Sequence, residues 1–179
     1  MNQATADLTR RPTEQDCSEY HIGLINRVPD GDILELLTSQ LSELQGFADA
    51  IPASEADVVH IPYGWTVRQV IEHSLDAERV FGYRALRFAA GDQTDLPGWD
   101  ENMFADCGYG SGADISTLAQ EFSAVRAANI ALLNRLIPEA WDRRGTADGN
   151  PVTVRVLAWL MAGHWMHHQQ ILRKRLGQT

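Results

Sequence analysis

The chain predicts an all-α fold: a four-helix bundle in up-down-down-up order, with a long crossover between its second and third helices. Three observations carry that expectation. Four stretches repeat apolar residues at steps of three and four, the spacing that keeps them on one face of a helix. No stretch sustains the period-two alternation of a sheet, although Trp141 to Val154, with Asp148-Gly149 inside it, has the turn chemistry of a small hairpin. The connection from Asp92 to Ala113 far exceeds the roughly two to eight residues that usually join antiparallel bundle neighbours. Crossing the bundle lengthwise, it would make the second and third helices parallel and leave the second and fourth antiparallel.

The first helix starts near Asp30-Gly31-Asp32 and carries Leu34, Leu37, Leu41, Leu44, Ala48 and Ile51 before Pro52 ends it. Thr66 is placed to N-cap the second, which runs through Val70, Ala77, Val80, Phe81 and Phe88 to Gly91. Its apolar face is broader, and His73 falls on or beside it. The third begins around Asp114 or Ser116 and shows Ile115, Leu118, Phe122, Val125, Asn129, Leu132 and Leu136 before Pro138, with Asn129 the one polar member of the seam. The fourth follows Asn150-Pro151 and shows Val154, Leu157, Met161, His164, His168, Ile171 and Arg175 in the same alternation, so two of its central seam positions are histidines.

A chain of 179 residues with 44% apolar residues fits one globular domain. That domain is expected over residues 17–179, after a flexible N-terminal tail over residues 1–16. A net charge of -9 argues against nucleic acid as a partner, because the basic face that displaces counterions from a phosphate backbone is missing. Met1 to Asp16 has no apolar run of signal-peptide length, and no stretch of about 20 apolar residues could span a bilayer. The expectation is a soluble, cytoplasmic protein with no membrane partner. Cys17 and Cys107 stand apart, without the paired spacing of a zinc ribbon or a disulfide framework.

The histidines carry the chemistry. His164 and His168 are four apart and so lie one turn above the other on one helix face, the usual way a helix offers two imidazoles to one ion. His73 lies about 10 Å into the second helix from Thr66, and His168 and His164 precede Leu176 by comparable distances at about 1.5 Å per residue. In an antiparallel pair these depths nearly coincide; in a parallel pair they do not. The expected metal ligands are therefore His73, His164 and His168, with the fourth tetrahedral position open, the pattern of a working site. Left without a metal, imidazoles in an apolar seam would strand polar nitrogens at about 1 to 3 kcal/mol each. A single histidine on such a face is more often hydrogen-bonded to a carbonyl or a carboxylate, so the pair at ligand spacing decides the reading.

Other polar residues are candidates for the surround. His167 points about 100° around the helix from His168 and suits the rim. Asp76, three after His73, could take a ring N–H and fix the tautomer, or be a solvated surface acid. Asn129 could hold a bound water or substrate, or set helix register. Tyr63, Trp65 and Trp99 flank the second helix, where aromatics could wall a pocket or simply pack under loops. His21 and His60 fall in loop-like segments, and no spacing identifies a general base.

The run Ile61-Pro62-Tyr63-Gly64-Trp65-Thr66-Val67-Arg68-Gln69-Val70-Ile71-Glu72-His73, then Leu96-Pro97-Gly98-Trp99-Asp100-Glu101-Asn102, and Ala162-Gly163-His164 with His167-His168-Gln169, resembles the DinB-like (YfiT-like) superfamily. Val28-Pro29-Asp30-Gly31-Asp32-Ile33-Leu34 looks like one branch of it, so the similarity covers Tyr20 to about Arg175. The resemblance implies an up-down-down-up bundle, frequently dimeric, with nickel or zinc held by a histidine of the second helix and a His-x-x-x-His pair of the fourth. Those roles fall on His73, His164 and His168. It specifies the reaction poorly, since relatives include thiol-dependent transferases, an isomerase using low-molecular-weight thiols and many proteins named as metal-dependent hydrolases.

The function expected on this footing is activation of a low-molecular-weight thiol at the metal for transfer to a small electrophile. The alternatives are a metal-dependent hydrolase, whose nucleophile is water, and a non-catalytic, dimeric metal-binding protein of stress response. Imidazole ligands alone suit zinc, nickel, copper and iron.

Overall fold

The computed structural model describes residues 6–110 and 112–178. Its helices are α1 (Glu19–Ile25), α2 (Ile33–Asp49), α3 (Val67–Ala89), α4 (Glu101–Cys107), α5 (Ile115–Asn134) and α6 (Val154–Arg175). A hairpin of β1 (Arg144–Ala147) and β2 (Asn150–Thr153) precedes α6. The long helices α2, α3, α5 and α6 are the four expected from periodicity.

Their starts are set locally. The Asp32 carboxylate accepts from the Leu34 and Glu35 N–H groups, and Asp114 accepts from Thr117. Thr66 and Gln69 form a reciprocal capping box, and Thr153 caps α6 by accepting from Val156. Each cap satisfies N–H groups that the helix cannot, an effect of about 1 kcal/mol. α6 begins at Val154, its first expected seam residue, and the small hairpin allowed by the sequence precedes it: Asn150 to Thr153 pair with β1 through a turn at Asp148-Gly149, where φ is 54° and 71°. Those angles belong to a two-residue hairpin turn.

Side-chain bonds give the helix directions. From α3 to α5, Arg68 reaches the Ala113 carbonyl, Glu78 meets Arg126 and Gly82 lies against Asn129, so the numbers rise together and the helices are parallel. From α3 to α6, His73 meets both His168 and His164 while Phe81, two turns further on, meets His164, an antiparallel pair. From α2 to α5, Gln45 meets Ser116 and Gln40 meets Arg126, again antiparallel. The order is up-down-down-up, as the long crossover requires.

The core divides into two apolar clusters. One holds Ile33 and Leu37, Ala85 and Phe88, Leu133, the hairpin and Val154 to Ala162. The other holds Leu44 and Phe47, Val70, Ile71 and Leu75, Leu118 and Phe122, and Trp165 and Leu172. On every long helix polar residues stand between the two: Gln40, Glu78, Arg126 with Asn129, and His164. Arg126 is fully buried, donates to both Glu78 carboxylate oxygens at 2.8 and 2.9 Å, and also donates to Gln40 Oε1 and the Met161 carbonyl, each at 2.8 Å. A polar layer at mid-height therefore ties all four helices together.

Two short helices were not expected. α1 crosses α6 where Gly163 has no side chain; a Cβ there would collide with the Leu24 carbonyl. With α1 on one side and the hairpin at its base, α6 is buried all round from Val154 to Trp165, rather than along a single seam. α4 lies within the crossover, held to α3 by Gln69 donating to the Ala105 carbonyl at 2.9 Å.

The expected flexible tail over residues 1–16 falls partly on 1–5, outside the described residues. From residue 6 the chain is anchored instead. Arg11 donates to the Ile25 and Val28 carbonyls at 2.8 and 2.7 Å and lies over the Trp159 ring, while Ala6 and Leu8 pack on the core.

Candidate metal centre

Antiparallel packing of α3 on α6 brings the three histidines to one point. His164 Nε2 lies 3.0 Å from His73 Nε2 and 3.1 Å from His168 Nε2. Each Nε2 has one lone pair or one hydrogen, so the central His164 nitrogen cannot satisfy two neighbours at once. A tetrahedral ion with M–N bonds of about 2.0–2.1 Å would hold its nitrogens about 3.3 Å apart, close to the spacing found. The donor set therefore fits a divalent ion without rearrangement of the helices. Among the described residues these three form the group of histidine, cysteine or carboxylate side chains close enough to share one.

Burial keeps the rings in the ligand form. It lowers the His73 pKa from 6.5 to about 4, with His167 adding a smaller push. Burial also drives His164 and His168 well below the ordinary histidine range, helped by the neighbouring histidines. Neutral imidazole coordinates; imidazolium does not.

Aromatic walls fix the rings. Trp99 stacks on His73 at 5.4 Å with only 10° between planes, Trp65 tilts against it at 4.9 Å, and Phe81 meets His164 edge-on at 5.7 Å. Trp99 comes from the crossover, whose course is set by Arg84 donating to the Pro97 carbonyl at 2.8 Å and by Leu96 exchanging backbone bonds with Thr146 and Asp148 of the hairpin. The cluster opens into a cavity of about 350 Å³.

The chain's family is now decidable. The profile of the DinB superfamily matches residues 36–172. The chain belongs to the DinB superfamily. Among solved structures, YfiT from Bacillus subtilis, described as a probable metal-dependent hydrolase with an unusual four-helix bundle topology, superposes with a TM-score of 0.70 at 20% identity over 95% of each chain. At that identity the likeness establishes the shared fold. No relative was found among curated proteins.

Within this DinB fold the expected surround is only partly assembled. Trp99 and Trp65 do wall the site, and His167 sits on the cavity rim against His168 with ring centroids 4.9 Å apart. Asp76 does not reach His73: its carboxylate accepts from the Tyr109 hydroxyl at 2.5 Å, and burial raises its pKa against that bond. His73 Nδ1 is buried without a protein partner. Asn129 is not in the cavity either. It donates to the Glu78 carbonyl and carboxylate at 3.1 and 2.9 Å, where Gly82 leaves room for it, so of its two expected roles it takes the structural one. Tyr63 packs under the Arg175 guanidinium, and His60 pairs with Glu55 at 3.0 Å.

Sequence reasoning missed His21, Arg84, Glu101 and Asp148, which line the cavity with the histidines. His21, expected in a loop-like segment, rides on α1. The signal for Arg84 was available, because it lies on the face of α3 that carries His73, Ala77 and Phe81.

Proposed function

We propose that this DinB protein is a metal-dependent enzyme acting on a small molecule, with His73, His164 and His168 as the ligands of one divalent ion. The observation that carries the reading is the meeting of three neutral Nε2 atoms at 3.0 and 3.1 Å beside an open cavity. A divalent ion bound there would lower the pKa of a coordinated water or thiol and supply a nucleophile near neutral pH. The protein's own part is positional. α3 and α6 set the rings, Trp99 and Trp65 hold His73 and screen it from bulk water, and the cavity admits the substrate. The three rings line the cavity, and among the described residues they share their donor cluster with no further histidine, cysteine or carboxylate, which favours catalysis over a purely structural or storage site.

Water as nucleophile, hence a hydrolase, is the first reading, supported by the description of the structural neighbour. A thiol is the second. Among the described residues no carboxylate hydrogen-bonds to the histidine cluster, and three neutral ligands leave the full charge of the ion, which acidifies a thiol more readily than water. Nickel and zinc are the ions to load first, and a homodimer is the assembly to look for by size-exclusion chromatography.

The experiment is a panel of small esters, amides and soft electrophiles, each with metal-loaded and chelated protein, with and without a low-molecular-weight thiol. Turnover of esters or amides that needs metal but no thiol supports the hydrolase. Turnover that needs both supports thiol transfer. Equal rates with and without metal would remove the metal from the mechanism.

A further inference from the structure

The cavity contains a second feature that bears on its substrate. Along α3, His73, Ala77, Phe81 and Arg84 follow at steps of four, four and three, and all four line the cavity. The cavity therefore runs along one helix face, with the histidines at one end and Arg84 about 16 Å further along the axis at about 1.5 Å per residue. Helical side chains lean toward the N-terminus, which shortens that gap.

Arg84 is only 8% exposed. Of the five N–H donors of its guanidinium, the structure shows Nη2 bonded to the Pro97 carbonyl at 2.8 Å. It takes part in none of the ion pairs found among the described residues. The other two buried arginines are closed, Arg126 by Glu78, Gln40 and the Met161 carbonyl, and Arg155 by Asp142 and the Asp7 carbonyl. Burial pulls the Arg84 pKa down, and the charge of Asp148 offsets only part of that. His21 approaches the same cavity from α1, and its Nδ1 is buried with no partner. The remaining Arg84 donors have no protein partner where the side chain lines the cavity, and the orphaned His21 nitrogen beside them is costly unless something arrives to use it.

We propose that Arg84 and His21 form a carboxylate subsite, so that the substrate is an elongated small molecule whose carboxylate lies several bonds from the carbon that reacts at the histidine cluster. This deepens the enzymatic reading above and rests on it for the reacting end. A planar guanidinium fork matches a carboxylate in two parallel bonds. The Asp148 carboxylate on the same wall suits the subsite to a monoanion rather than to a phosphate dianion.

The test uses chelated, metal-free protein, so that a probe cannot be held by the ion and the result is independent of whether the metal reading stands. Benzoate, its neutral isostere benzamide, and phenyl phosphate are titrated against the fluorescence of Trp65 and Trp99, which line the cavity. Benzoate is expected to bind at least tenfold more tightly than either of the others, and R84Q to abolish the preference over benzamide. D148N, at a position with φ 54° that asparagine adopts readily, is expected to tighten benzoate severalfold, and it carries the test alone if R84Q does not fold. Equal binding of benzoate and benzamide, a preference for phenyl phosphate, no response of benzoate to D148N, or no benzoate binding at tens of millimolar would each overturn the subsite. Failure of metal binding in a separate titration would overturn the enzymatic reading and leave this measurement untouched.

Discussion

Two polar clusters sit at the same height in the bundle, and they are built to opposite ends. Around Arg126 the donors and acceptors are matched: the guanidinium meets both Glu78 oxygens, Gln40 and the Met161 carbonyl, and Asn129 completes Glu78. Around His164 they are not matched. Three nitrogens of one kind face one another, and the outer nitrogens of His73 and His168 are buried without partners. A closed network ties helices together and has nothing left to bind. An open one leaves its cost for a ligand to remove. The difference separates a structural layer from the candidate metal centre along the same bundle, and each of the following substitutions sharpens or breaks it.

The largest effect belongs to the closed cluster. Glu78→Ala leaves the Arg126 charge buried and unpaired, and is expected to cost about 3–5 kcal/mol in denaturant unfolding of the metal-free protein. A loss under 1 kcal/mol would mean that the network does not organise the bundle. Next comes Gly82→Ala, whose Cβ collides with the Asn129 side chain. Forcing that contact is expected to cost about 1–3 kcal/mol, and pairing it with Asn129→Ala should recover part of the loss if the two residues are coupled as described.

The open cluster responds to acid instead. Burial holds the His73 pKa at about 4, below the ordinary 6.5, so between those values the unfolded chain binds a proton that the folded chain does not. Stability of the chelated protein is therefore complete above about pH 6.5 and falls as pH drops toward 4, with a slope of up to about 1.4 kcal/mol per pH unit for each such histidine. Melting temperatures at pH 7.5, 6 and 5 check this, and a flat profile would contradict the burial of the rings. The smallest effect is His73→Ala in chelated protein, expected within about 1 kcal/mol of the parent because it removes stranded nitrogens along with packing.

The contrast also explains what the sequence made legible. Helix starts at Asp32, Thr66 and Asp114 were readable because a cap is a bond within three residues. The His164–His168 pair was readable because helical spacing alone sets it, and His73 because two antiparallel helices have matching depths. α1 and α4 were not readable: a seven-residue helix is marginal by itself and exists here through Gly163 beneath Leu24 and Gln69 against Ala105. Asn129 was seen as an odd polar residue, but its partner Glu78 stands on another helix, and nothing local distinguishes a structural amide from one that holds a ligand. His21 joins the site only through α1 packing, so no spacing rule could pair it with the histidines, whereas Arg84 shares the α3 face of His73, Ala77 and Phe81 and is legible from helical spacing.

The account turns on whether the three imidazoles act as one ligand set. Calorimetric titration of the chelated protein with zinc or nickel, beside His73→Ala, His164→Ala and His168→Ala, measures this directly. The structure predicts a single ion per chain in the parent and binding weakened at least a hundredfold, or about 2.7 kcal/mol, in each variant. A parent that binds no ion, or variants that bind as the parent does, would contradict it.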